Sequence, residues 1–175
     1  MERIVIIGAT GSGKSTLGYH LAQKLGYPVI ELDDLYWSPD WVAATPEKFR
    51  ADVAKAAPID GKWISVGNYS VAGDILWHRA DTLVWTDPGF LACFARIVRR
   101  TLRRARNHES VCNGNYETLG RLFSKNSLIL WLFKTHAKKR REFGKTFAEK
   151  PYRNIKDYIR LRTALETEQF INAGS

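Results

Sequence analysis

Four apolar residues, Ile4-Val5-Ile6-Ile7, run straight into Gly8-Ala9-Thr10-Gly11-Ser12-Gly13-Lys14-Ser15-Thr16, a complete G-x-x-x-x-G-K-S loop. Glycines at this spacing let successive backbone N–H groups curl around a phosphate chain, and the helix that follows points its positive end at the same anion. The motif therefore dictates an order of elements: a buried strand, a tight loop, then a helix. Leu17, Leu21 and Leu25 supply the apolar stripe of that helix. Gly8, Gly11, Ser12, Gly13, Lys14, Ser15 and Thr16 are the expected nucleotide-binding residues. Lys14 is placed to reach the β- and γ-phosphates of ATP, and Ser15 to ligate Mg²⁺.

Further strand-like runs at Val29–Leu32, Trp63–Val66, Thr82–Trp85 and Tyr158–Leu161 alternate with helical stretches, the pattern of an α/β fold with a parallel sheet of five strands. The first helix should stop at Gly26-Tyr27-Pro28, and a second should start at Thr45-Pro46 with threonine as its cap. A last helix opens on the capping-box pattern Thr163-Ala164-Leu165-Glu166 and should end before Gly174. The 175 residues, 45% of them hydrophobic, suit one domain spanning 1–175. No run of about 18 apolar residues occurs, so the expectation is a cytoplasmic protein without membrane contact. Cys93 and Cys112 lack metal-ligand spacing and read as reduced thiols.

The net charge of +9 is concentrated, because residues 96–145 hold 14 Lys/Arg against three acidic residues. Phe90, Phe94, Ile97, Val98, Thr101, Leu102 and Ala105 follow helical spacing as a core stripe, while Arg96, Arg99, Arg100, Arg103, Arg104 and Arg106 crowd the rest of that helix. Like charges three and four residues apart repel by a few tenths of a kcal/mol per pair, which an anion among them relieves. That anion is a nucleotide, a nucleic acid backbone or an acidic membrane surface. Lys138-Lys139-Arg140-Arg141 reads more simply as favourable charge at a helix C-terminus.

In such folds ligands bind at the carboxyl ends of the strands, so polar residues there are site candidates. Asp33 and Asp34 follow the second strand, Gly67, Asn68 and Tyr69 the third, and Asp87 the fourth. Asp87-Pro88 resembles a helix cap and first turn. Asp33 is a candidate to accept a proton from an acceptor hydroxyl or to hold Mg²⁺ through water. Tyr36, Trp37, Trp41 and Tyr69 are candidate pocket aromatics, whereas Trp63, Trp85 and Trp131 lie on apolar faces and read as core.

The stretch from Val84 to Arg100 resembles the strand, turn and helix leading into the lid of adenylate kinases, with Arg96 and Arg100 on the ATP-contacting positions of R-I-x-x-R. Leu32-Asp33-Asp34-Leu35-Tyr36-Trp37, Gly67-Asn68-Tyr69-Ser70, Arg79-Ala80-Asp81 and the arginine-rich helix together resemble a bacterial adenylate-kinase-like family also called topology modulation proteins, related to shikimate kinases. The resemblance implies a three-layer P-loop NTPase fold with a helical lid within about 96–145. It also implies a phosphotransferase in which Lys14, Asp33, Arg96 and Arg100 are catalytic and Ser15 and Asp33 hold Mg²⁺. Asp33, Asp34, Tyr36, Trp37, Gly67, Asn68, Tyr69 and Arg79 would bind a nucleotide, nucleoside or small hydroxyl acceptor. The chain departs from the family at Val66, where a carboxylate would help hold the metal, and lacks an arginine soon after Ser70, for which Arg79 is the candidate substitute. The family label also raises an alternative, a nucleotide-controlled DNA- or RNA-binding protein using the basic region.

Overall fold

The computed structural model describes residues 1–116 and 127–173. Five parallel strands form one sheet in the order β2-β5-β1-β6-β9, with β1 Arg3–Gly8 at its centre, β5 Trp63–Val66 and β6 Thr82–Thr86 beside it, and β2 Val29–Glu31 and β9 Asp157–Leu161 at the edges. Parallel neighbours need crossovers, and the helices that make them cover both faces. That is why β1 is apolar at every position from Ile4 to Ile7 rather than alternating.

The strand pleat sorts those residues between two cores. Ile4 and Ile6 pack with Ile64, Val66 and Val84 beneath Leu17 and Leu21 of α1 (Lys14–Leu25). The short helix α7 (Ala164–Ala173) adds Phe170 and Ile171 to that layer. Val5 and Ile7 face the other way, joining Trp63, Leu83 and Trp85 under Phe49 and Val53 of α3 (Pro46–Ala56) and Leu76 of α4 (Gly73–Arg79). Phe143 of the long helix α6 (Leu128–Glu149) closes that layer. The helix boundaries follow local chemistry: Gly26, left-handed, ends α1, the Thr45 hydroxyl accepts from Lys48 N–H, and Glu166 and Thr163 bond reciprocally at the start of α7. β2 ends one residue earlier than its sequence pattern suggests, because Leu32 opens the five-residue helix α2 (Leu32–Tyr36).

α5 (Phe90–Asn107) and α6 lie together over the carboxyl end of the sheet, joined by Cys93, Ile97 and Leu132. Three expectations for this region need correction. Trp131 is 54% exposed and Leu102 49%, so neither belongs to the core. The tetrad Lys138–Arg141 sits in mid-helix, since α6 continues to Glu149. Asp87 does not cap α5, whose N-cap is Gly89 without a side-chain bond. Its side chain is instead only 3% exposed and accepts from Arg160 of β9 and Arg140 of α6, while the Arg160 guanidinium stacks 4.1 Å from the centroid of Trp85. The part of the expected lid between residues 117 and 126 lies outside the described residues.

Asp87 thus ties two separate elements to the end of β6, and a buried carboxylate that loses its charge strands both partners. Asp87→Asn should lower unfolding free energy by about 3 kcal/mol, whereas Arg140→Met, at a half-exposed partner, should cost less than about 1 kcal/mol. Urea denaturation followed by tryptophan fluorescence separates the two.

Candidate active site

The phosphate loop is held from three sides. From β5's end, Asn68 accepts from the Gly8 N–H at 3.0 Å and donates to the Gly8 carbonyl. From β6, Thr86 bonds the Ser12 hydroxyl at 2.7 Å and the Ile7 carbonyl at 3.2 Å. From α5, Arg96 donates to the Ser12 carbonyl at 2.9 Å. Gly11, at φ 74°, allows the approach of α5: a Cβ there would lie 2.6 Å from the Cys93 carbonyl oxygen. A side chain at position 11 would therefore push α5, with its arginines, off the loop.

Lys14 bends back to donate to the Ala9 carbonyl at 2.9 Å. Its pKa is lowered to about 8, mainly because burial disfavours the ammonium form; the Asp33 carboxylate opposes this, and the like charges of Lys139 and Arg100 reinforce it. Four cationic side chains, Lys14, Arg96, Arg100 and Lys139, therefore gather around one loop. Lys139, on α6, was not expected there; only the tertiary packing turns it toward the loop. Its own ammonium is also pushed down by burial.

Glu31 is a second residue that sequence reading missed. It is the last residue of β2, and its half-buried carboxyl, pushed up by burial, takes a hydrogen bond from Ser15 that works the other way. Extending β2 to Leu32 in sequence hid it inside a strand; ending the strand at Glu31 would have marked it as an acid at a carboxyl edge. Val66 offers nothing comparable, being wholly buried at the end of β5 with Gly18 of α1 against it. The oxygen donors beside the loop are thus Ser15, Glu31 and Asp33, a set that suits Mg²⁺ held partly through water.

On the far side of Asp33, the Tyr69 hydroxyl donates to Asp33 Oδ1 at 2.6 Å. Burial, then the Asp33 charge, pushes this phenol far above its ordinary range, so it stays a donor. Asp34 is pushed up by burial and by Asp33. Tyr36 packs against Trp37, Phe49 and Tyr69 with centroids 4.6–5.3 Å apart, and Trp37 meets Trp41 edge-on at 5.7 Å. Asp33, Asp34, Tyr36, Trp37 and Tyr69 thus lie together, with Asp33 nearest to Lys14.

The remaining acceptor candidates sit elsewhere. Asn68 is committed to Gly8, and Gly67, at φ 143°, lets Leu32 pack within what would be 2.8 Å of a Cβ. Arg79 is at the opposite edge of the sheet: its Nη1 caps the carbonyls of Ala54 and Ala57 at 2.7 Å each, and it lines a cleft of about 360 Å³ with Arg3 and His78. Its expected role as an acceptor clamp is thereby corrected, because the strand N-termini lie a full sheet length from the loop. Arg50, on α3, donates to both carboxylate oxygens of Asp74 and to the Val71 carbonyl. On α5, Arg96, though exposed, bonds the loop and half-buried Arg100 lies near Lys14, whereas Arg99, Arg103 and Arg106 are exposed without a bond to the loop among the described residues.

A short hairpin follows α5, with β7 Ser110–Val111 paired to β8 Asn115–Tyr116. It lies against the turn that joins β3 (Trp37–Ser38) to β4 (Val42–Ala43). In that turn Asp40 and Trp41 are both left-handed, at φ 60° and 59°. For a tryptophan this costs of order 1–2 kcal/mol, which something nearby must offset.

Comparison with known proteins bears on the fold. The family model for shikimate kinase matches residues 10–52, from within the loop through α1, β2, α2, β3 and β4 into α3. The protein YqaC of Bacillus subtilis (strain 168) is 34% identical over 86 residues, covering 48% of each chain. The shikimate kinase from Bacteroides thetaiotaomicron superposes with a TM-score of 0.57 at 19% identity, covering 98% of this chain and 95% of that one. A gluconokinase from Sinorhizobium meliloti 1021 gives 0.53 at 17% identity, covering 99% and 89%. The matches span 10–48% of the length of the curated relatives. No helix among the described residues is long and apolar enough to cross a membrane. The chain has the P-loop NTPase α/β fold, with shikimate kinase and gluconokinase among its structural neighbours.

Two outcomes follow from the loop. Removing the Asn68 amide leaves the Gly8 N–H unpaired, so Asn68→Ala should weaken nucleotide binding about tenfold, or roughly 1.4 kcal/mol, by calorimetry. A triphosphate needs charged Lys14, which is half neutral near pH 8 in the free protein. Binding should therefore take up a proton, with affinity constant below about pH 7 and falling up to tenfold per pH unit above 8. Lys14→Arg should abolish that slope.

Proposed function

We propose that the protein is a small-molecule kinase that transfers the γ-phosphoryl of ATP to a hydroxyl acceptor. The observation that carries this reading is the meeting of two sides at Lys14: the phosphate loop with Arg96, Arg100 and Lys139 on one, and Asp33 with its tyrosine and aromatic surround on the other. A bare phosphate-binding module has no need of the second side.

In this reading the loop N–H groups and Lys14 cradle the β- and γ-phosphates, while Arg96, Arg100 and Lys139 offset charge that builds on the phosphoryl oxygens. Ser15, with Glu31 and Asp33 through water, would hold Mg²⁺, whose contribution when bound is neutralisation of phosphate charge. Asp33, kept in place by Tyr69, accepts the proton of the acceptor hydroxyl. The oxygen so freed bonds to the γ-phosphorus as the bond to the β–γ bridging oxygen breaks, and ADP leaves. Most of the rate comes from alignment and electrostatics rather than from covalent chemistry by the protein.

The acceptor side favours a hydroxyl compound with an apolar or ring face over a phosphate ester. Its carboxylates are flanked by four aromatic rings, and Arg50 and Arg79 are spent on protein groups. The names of the shikimate kinase and gluconokinase neighbours support the same class. The nucleic-acid reading has less behind it, since Arg96 and Arg100 face the loop and Arg103 is paired with Glu109.

ADP formation with Mg²⁺ across a panel of polyols, cyclic hydroxy acids, nucleosides and nucleoside monophosphates tests the proposal. Turnover should depend on one hydroxyl acceptor. It should vanish in Lys14→Ala and drop at least 10²-fold in Asp33→Asn, the lower end of the range for losing a general base. Slow hydrolysis indifferent to every acceptor, or full activity in Asp33→Asn, would sink it.

A further inference from the structure

The hairpin after α5 makes its closest polar contacts with residues about 75 positions earlier. Asn113, itself left-handed at φ 53°, gives its side-chain amide to the carbonyls of Asp34 at 2.7 Å and Trp37 at 2.6 Å. A five-residue helix such as α2 leaves its last carbonyls without helical partners, and Asn113 satisfies that of Asp34 and, just past the helix, that of Trp37. Asn115 is 3% exposed and its amide is fully used: it donates to Ser38 at 3.0 Å and Cys112 at 2.8 Å and accepts from Trp41 N–H at 2.8 Å.

Asparagines in turns commonly bond their own neighbours. Here four of the five bonds cross to the segment that carries Asp33, Tyr36, Trp37 and Trp41. The fifth, to Cys112, braces Asn115 within its own hairpin. The crossing bonds also meet the strained turn, since the Trp41 N–H that Asn115 holds belongs to one of the two left-handed residues. A conformation of that kind persists only where its surroundings over-determine it, and it is a marker of functional positioning.

We infer that Asn113 and Asn115 are positioning residues: they fix the segment from Asp33 to Trp41 to the continuation of the arginine helix, so that nucleotide bound by Arg96 and Arg100 and the acceptor side of the site are ordered together. The mechanical path is short. α5 touches the loop through Arg96 and the Cys93 carbonyl at one end, and its other end runs through His108 into the hairpin that carries both asparagines. Neither residue touches the phosphate loop, so their effect on nucleotide reaches it through α5. The names of the two sides rest on the kinase reading; the clamp itself does not.

Hydrogen exchange by mass spectrometry on the full chain tests this, with wild type, Asn113→Ala, Asn115→Ala and Asn115→Asp, each free and with a non-hydrolysable ATP analogue. In the free protein, Asn115→Ala should speed exchange across residues 34–43 at least tenfold with β1 and β5 unchanged. Asn115→Asp, which keeps an acceptor for the Trp41 N–H, should recover part of that protection. The analogue should slow the same segment at least threefold in wild type and not in either alanine variant. Because coupling is reciprocal, the analogue's Kd should weaken by the factor of protection lost. Wild-type exchange at 34–43 in both free alanine variants would overturn the positioning role. Analogue-dependent slowing that survives in both would overturn the coupling. Should Asn115→Ala unfold, exchange fast everywhere would reveal it, and the exposed Asn113 still decides the question. Failure of the analogue to bind wild type would instead remove the kinase reading, while the comparison of free proteins continues to judge the clamp.

Discussion

The site depends on how the phosphate loop is gripped. A glycine-rich loop is conformationally permissive, and left to itself it would lose much of the free energy of phosphate binding to ordering. Here an amide from the end of β5, a hydroxyl from β6 and a guanidinium from α5 each take a loop backbone or side-chain group. The loop is therefore held by the central strands and by the helix that brings the arginines. Anything that shifts α5 moves the loop's Ser12 carbonyl and the arginines as a unit.

The same economy of contacts appears at Asp87. One buried carboxylate receives Arg160 from the edge strand and Arg140 from α6, and Arg160 in turn covers Trp85. That joint fixes α6 at the carboxyl end of the sheet, which is what brings Lys139 near Lys14. Burial is the main cause of the depressed Lys14 pKa, and the like charges of Lys139 and Arg100 add repulsion to it. A triphosphate would relieve that repulsion, so binding and charge balance favour each other.

Much of the fold was legible because its signals were local. The strands at 4–7, 63–66, 82–85 and 158–161, the glycine stop after Leu25, the threonine cap at Thr45 and the capping box at Thr163 all express short-range sterics or hydrogen bonding, and each is found where the pattern put it. The placing of Asp33, Asp34 and Tyr69 at the carboxyl edge followed from one topological rule about strand ends, whereas Tyr36 and Trp37 were candidates as aromatics only. The failures share a cause as well. Asp87 and Asp33 both follow strands and look alike in sequence, yet one is a buried ion-pair hub and the other an open acid, because their neighbours come from residues 140 and 160 in one case and 69 in the other. Arg79 looked available for a phosphate but caps α3 at the wrong edge of the sheet.

What the sequence by itself determined was the phosphate loop, the alternation of strands and helices, and the excess of arginine on one amphipathic helix, since all three are written in spacing along the chain. Tertiary structure alone decided which of those arginines face the loop, that Glu31 rather than Val66 stands beside Ser15, that Lys139 joins the cationic group, and that Asn113 and Asn115 bond across to the segment from Asp34 to Trp41. Those outcomes depend on the distances between segments that lie tens to more than a hundred residues apart. Such distances are set by how the two cores pack across the sheet, and no local pattern encodes them.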